Sequence, residues 1–150
     1  MVKDGDVHGG AIRLGTATAG VIGVAEGIET SLAIRAATGM PVWPVLSASL
    51  MRSFEPPEGV TEVVIWADRD LPDRKGRKAG QDAAEVLQAR LLEGIRASIK
   101  IPDASSSTDV SVDWADVYTS SGLTGFPARA KLLNPSNPSD IHCQEGFHSA

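Results

Sequence analysis

The stretch Val63-Val64-Ile65-Trp66-Ala67-Asp68-Arg69-Asp70 decides how the rest of the chain is read. Its first five residues are β-branched, aromatic or small, and a continuous apolar run bounded by turn signals reads as a buried strand. In an open parallel sheet, functional groups collect just outside the carboxyl ends of the strands. Asp68 and Asp70 stand at such an end. Two carboxylates held close together repel and lose hydration, a cost that a cation between them removes. Aspartate is also an ordinary residue in a polar loop or at a helix start, so this stretch alone leaves both readings open.

Working outward, the chain of 150 residues suits one domain with its own core. A net charge of −5 excludes a global basic footprint, so any nucleic-acid contact must be local. The single cysteine, Cys143, excludes an internal disulfide framework and a multi-cysteine zinc site. No apolar run reaches the roughly 20 residues that span a bilayer. The first ten residues lack the apolar core of a secretion signal. The expectation is a soluble, cytoplasmic protein with no membrane partner.

The flanks of the key strand alternate in type. Ala11 to Leu14 reads as a short edge strand, and Val21 to Ala25 as a second buried strand ending at Glu26-Gly27. A helix follows to Thr38, with Leu32, Ala33, Ala36 and Ala37 at helical spacing and Gly39 as its stop. Pro41 to Val45 carries two prolines and reads as a strand near an edge. Ser47 to Phe54 offers a cap and a short helix, and Pro56-Pro57-Glu58-Gly59 a turn. After the key strand, Asp73 to Gly80 is a basic, glycine-containing loop. Gln81 to Glu93 makes the clearest helix, with a stripe of Ala84, Leu87 and Leu91 and with Ala83 and Leu92 beside it. Arg96 to Ile101 alternates into a last strand. Asp103 to Ser111 reads as a polar loop, and Asp113 to Val117 starts one more helical turn. From Thr119 the period is lost, and a disordered tail is expected over 119–150. Strands alternating with helices predict an α/β sandwich with about four mainly parallel strands.

Glu26 therefore follows one predicted strand, and Asp68 and Asp70 another. If the two strands are neighbours, the three carboxylates converge on one rim. Hard oxygen donors without a His/Cys cluster suit Mg²⁺ or Mn²⁺ rather than zinc. Mg²⁺ takes one or two protein carboxylates and leaves other positions to water and phosphate, the outline of phosphoryl-transfer chemistry.

These residues also resemble a known family. VAEGIETSLAI (Val24 to Ile34) and VVIWADRD (Val63 to Asp70) are similar to the two signature motifs of Toprim domains, found in primases, topoisomerases and some nucleases and repair proteins. GAIRL (Gly10 to Leu14), the segment from Pro41 to Met51, Gly80-Gln81-Asp82-Ala83-Ala84 and Asp113 to Val117 extend the resemblance toward phage- and plasmid-type primases and primase-helicases. It covers roughly residues 9 to 118, which implies a Rossmann-like Toprim domain over 1–118 with its core from about residue 20. The resemblance implies that Glu26 is a general acid/base or metal-organising residue and that Asp68 and Asp70 bind metal. It implies a further acidic pair in Asp113 and Asp116, the former a candidate ligand. Cellular replicative primases often carry aspartate four residues after the glutamate. Here that position is Thr30, with Glu29 one residue earlier.

By the same resemblance the partners are a DNA template and nucleoside triphosphates, joined in an RNA primer, together with further primase or helicase domains or subunits. The chain has no room for a zinc-binding segment and extra catalytic subdomain, so it is expected to be a piece of such a protein or to act with partners. A Toprim nuclease and a non-catalytic nucleic-acid-binding module remain alternatives. A topoisomerase fits less well, since its nucleophile would have to be Tyr118, the single tyrosine. Lys75, Arg77 and Lys78 are candidates for contact with a nucleotide or a nucleic-acid backbone, or form a solvated face. Arg69 is a phosphate clamp or a structural ion-pair partner. Asp113 and Asp116 equally fit a helix cap. Trp66 belongs to the core, Trp43 to the core or an edge contact, and Trp114 either docks its helix on the sheet or stacks on a base.

Overall fold

The computed structural model describes residues 10–103 and 110–127. Four strands form one parallel sheet: β1 (Val21–Glu26), β2 (Val42–Val45), β3 (Glu62–Trp66) and β4 (Arg96–Lys100). Their order is β2-β1-β3-β4. Helices α1 (Ile28–Thr38), α2 (Ala48–Arg52), α3 (Ala79–Leu91) and α4 (Trp114–Ser121) flank the sheet, and a 3₁₀ turn, Gly122–Gly125, follows α4.

Strand alternation divides the core into two layers. Ile22, Val24, Val63 and Ile65 face α2 and α3, where they meet Met51, Ala83, Ala84 and Leu87. Ala25, Val64 and Trp66 face α1 and α4, against Ile34, Trp114 and Phe126. The second layer is aromatic: Trp66 and Trp114 meet edge to face at 4.9 Å, and Phe126 packs 5.2 Å from Trp114. Gly23 makes room for it. A Cβ there would stand 2.9 Å from Val42 Cγ2 and 3.1 Å from Trp66 Nε1, so only glycine lets the indole approach β1.

β1 and β3 are adjacent, and their register pairs Ala25 with Trp66. The chain leaves β1 toward β2 on one side, while β3 lies on the other, which makes the gap between β1 and β3 the switch point of the sheet. Glu26 ends β1 there, and Asp68 follows β3 two residues past its end. The expected edge strand at Ala11 to Leu14 is reduced to one antiparallel bridge, Ala11 with Val45, and an Ile12 N–H bond to the Pro44 carbonyl.

Two sequence expectations are corrected. The buried face of α1 is Thr30, Ser31, Ile34, Ala37 and Thr38, and Leu32 is exposed. Hydroxyls are tolerated against the sheet because Ser31 Oγ donates to the Gly27 carbonyl and Thr38 Oγ1 to the Ile34 carbonyl, so little polar capacity is wasted. In α3, Leu92 likewise points to solvent. The second correction concerns the tail. α4 continues past Thr119 to Ser121, and Phe126 is buried beside Trp66 and Trp114. One aromatic side chain closing the second layer holds this segment in place. The remainder of the expected tail, the first nine residues and part of the polar loop after Asp103 lie outside the described residues.

Candidate functional site

Each acidic residue of the rim is placed by a different local device. Glu26 is the last residue of β1, and Gly27, at φ +85°, turns the chain at once into α1. The Gly27 N–H still bonds the Val45 carbonyl, so the strand end is fixed. Asp70 is held by the start of α3. Its Oδ2 accepts the Gly80 N–H at 2.9 Å, and its own N–H donates to Gln81 Oε1 at 3.2 Å. A Cβ on Gly80 would stand 2.8 Å from that Oδ2 and 3.9 Å from Glu26 Oε2, so both carboxylates crowd one backbone position.

Asp68 leans the other way, toward α4. The Trp114 backbone favours its charged form, while Oδ1 is buried and has no hydrogen-bond partner. The segment before α4 is zipped to β3 by reciprocal backbone bonds between Arg69 and Val112, of 2.8 and 3.0 Å, and Leu71 N–H donates to Ser111 Oγ. That pairing brings Asp113 to Asp68. Asp113 also caps α4: its Oδ1 accepts the Asp116 N–H at 2.7 Å, and Asp116 Oδ2 accepts the Asp113 N–H, a capping box. Trp114 docks as its indole N–H bonds the Ala67 carbonyl.

The electrostatics follow from this crowding. Burial, then the charges of Asp113, Asp70 and Glu26, push the Asp68 carboxyl up to about 7. Burial and the nearby Asp70 raise Glu26 as well. Four carboxylates thus converge on the switch point, and a buried, partnerless oxygen among them is costly unless something binds it. A hard divalent cation fits that donor set. Among the described residues, no three His, Cys, Asp or Glu side chains close around a common point. Such an arrangement suits an ion that uses few protein ligands and shares the rest with water and phosphate.

The other candidates lie around this rim. A cleft of ≈ 290 Å³ opens beside it, lined by Glu26, Asp70, Asp73, Arg77, Gly80 and Ser111 among others. Arg77 pairs with Asp73 at 2.9 Å. Lys75 is exposed, Lys78 precedes α3, and Arg69 turns its Nε–H to the Pro102 carbonyl at 2.7 Å. Asp116 is engaged in its cap, Thr30 is buried, and Glu29 is exposed on the first turn of α1. Sequence reasoning missed the donor at Gly80, the acceptor at Gln81, and Ser111 in the cleft wall. Gly80-Gln81 was visible as part of a motif, but a backbone N–H has no sequence signature of its own.

A comparison with known families matches the Toprim domain over residues 21–123. The chain belongs to the Toprim family. No curated protein and no solved structure matches it. Toprim domains typically bind divalent metal ions such as Mg²⁺ and act in nucleic-acid processing, and the four-stranded parallel sheet flanked by helices is their Rossmann-like architecture. The matched segment runs from the first residue of β1 into the 3₁₀ turn, so it includes Glu26, Asp68, Asp70 and Asp113. Among the described residues of this Toprim domain, no helix is long and apolar enough to cross a membrane.

Proposed function

We propose that this Toprim domain holds Mg²⁺ or Mn²⁺ through Asp68 and Asp70, with Glu26 and Asp113 beside them, and supports nucleotidyl transfer in primer synthesis on a DNA template. The observation that carries the reading is the buried Asp68 Oδ1, which has no partner and feels the charges of Asp113, Asp70 and Glu26. When bound, the ion offsets this charge and polarises a phosphoryl oxygen.

The chain's own residues supply the rest. Gly80 N–H and Gln81 orient Asp70, so that carboxylate is set before any ligand arrives. Glu26 lines the cleft with a raised affinity for protons, which suits a group that takes and returns a proton at a carboxylate oxygen. The cleft beside it has room for a nucleotide's phosphates. Template DNA, nucleoside triphosphates and further primase or helicase domains are the partners in this reading, and the motif pattern from Gly10 to Val117 is what favours the primase setting.

The test is incubation with single-stranded template, nucleoside triphosphates and Mn²⁺, alone and with a primase-type partner domain. Primer-length products that Glu26→Gln reduces by roughly 10²–10⁴-fold are expected, the usual weight of a general acid/base. Strand scission without added nucleotides would instead assign the site to a nuclease.

A further inference from the structure

The loop between Asp70 and α3 carries four cations in five positions, Arg74, Lys75, Arg77 and Lys78, on a chain of net charge −5. Residues 71–77 are all exposed, yet the loop is internally tied. Asp73 Oδ1 accepts the N–H groups of Lys75 and Arg77 at 2.8 and 2.9 Å, and Asp73 Oδ2 takes the Arg77 guanidinium. Asp73 N–H also bonds the Arg77 carbonyl, and Gly76, at φ +76°, lets the chain reverse. Hydrogen bonds to its charged form hold the Asp73 carboxyl below its ordinary range.

The cations fall into two groups. Arg77 lines the cleft beside Glu26 and Asp70, but Asp73 neutralises it. Arg74, Lys75 and Lys78 do not line the cleft, and none of them has a salt bridge among the described residues. A triphosphate seated in the cleft would meet the neutralised arginine and miss the three free charges. A polyanion crossing the rim would meet all three. Enclosure favours a small ligand, whereas unpaired cations outside the cleft gain by releasing counterions from a repeating phosphate chain.

We infer that the Asp73-tied loop is a docking rail for the phosphodiester backbone of single-stranded nucleic acid, with Arg74, Lys75 and Lys78 as its contacts and Arg77 as an internal strut. This rests on the proposed role of the rim, since the rail delivers a strand to those carboxylates. Contact is to backbone, so binding is indifferent to base sequence.

The experiment compares the full chain with the triple variant Arg74→Gln, Lys75→Gln, Lys78→Gln. Fluorescence anisotropy of a labelled single-stranded oligonucleotide is read across a salt series, and Mn²⁺ titration serves as a control for the rim. Each phosphate contact on a single strand contributes a slope of about 0.7 in log affinity against log salt, so the variant should be shallower by about 2. Its Mn²⁺ binding should match the parent's, which also shows that the variant is folded. An unchanged slope, or no oligonucleotide binding by the parent, overturns the rail. Lost ATP binding with an unchanged slope would overturn it in favour of a nucleotide site. Failure of Mn²⁺ binding in both proteins would count against the metal reading instead, and the slope would still judge the rail.

Discussion

The two sides of the carboxylate rim are built on opposite principles. On the α3 side, Asp70 is satisfied: Gly80 N–H donates to its carboxylate and Gln81 accepts from its backbone. On the α4 side, Asp68 has a buried partnerless oxygen and Asp113 for a neighbour. One side holds its carboxylate at little cost to the fold, and the other stores a charge that the fold alone does not balance. Metal sites need both, since a fully satisfied pair has no drive to bind and a fully unsatisfied one is not held in place.

The contrast is broken most severely at Trp114. Its indole packs on Trp66 and Phe126 and bonds the Ala67 carbonyl, and it is the first residue of the helix that Asp113 caps. Trp114→Ala should cost about 3–5 kcal/mol in urea unfolding, the usual range for a buried large aromatic. The whole α4 side, with Asp113, should loosen while the α3 side stays in place.

A milder change attacks the satisfied side alone. In Gly80→Ala the new methyl would lie 2.8 Å from Asp70 Oδ2, so that carboxylate has to move. Helix content by circular dichroism should be retained, with Mn²⁺ affinity lower by about 10–100-fold, as when a ligand's support is removed.

The pH dependence sharpens the unsatisfied side. The fold raises the Asp68 carboxyl from 3.8 to about 7, so the folded state prefers it protonated. That contribution is complete below pH 3.8 and is lost as pH rises through about 7. Glu26 acts with the same sign. Without metal, Asp68→Asn should therefore be more stable than the parent at pH 8, and the gap should close toward pH 4. Added Mn²⁺ should reverse the order at pH 8, because only the parent offers the charged oxygen. Parallel stability curves for the two proteins would mean that Asp68 carries no unbalanced charge.

Much of this arrangement was legible in the chain. A β-branched run ending in acids, twice, pointed to parallel strands ending in Glu26 and before Asp68, because period and turn chemistry are local properties, while the adjacency of the two strands came from the fold. The face of α1 was not legible. Its buried residues include Ser31 and Thr38, whose hydroxyls satisfy themselves on the preceding turn, and a hydrophobic pattern cannot register that. Phe126 was missed for a related reason: a lone aromatic among serines and glycines has no period, and only its contact with Trp114 gives it a place. At the rim, the side-chain carboxylates were visible, but the Gly80 N–H bond that distinguishes Asp70 from Asp68 comes from tertiary structure alone.

The central claim is that the rim is a cation site completed by Asp68 and Asp70, and isothermal titration of Mn²⁺ into the full chain tests it most directly. The parent should bind, and the Asp68→Ala, Asp70→Ala double variant, folded by circular dichroism, should give no heat of binding. Equal binding by the two proteins, or none by a folded parent, would contradict the claim.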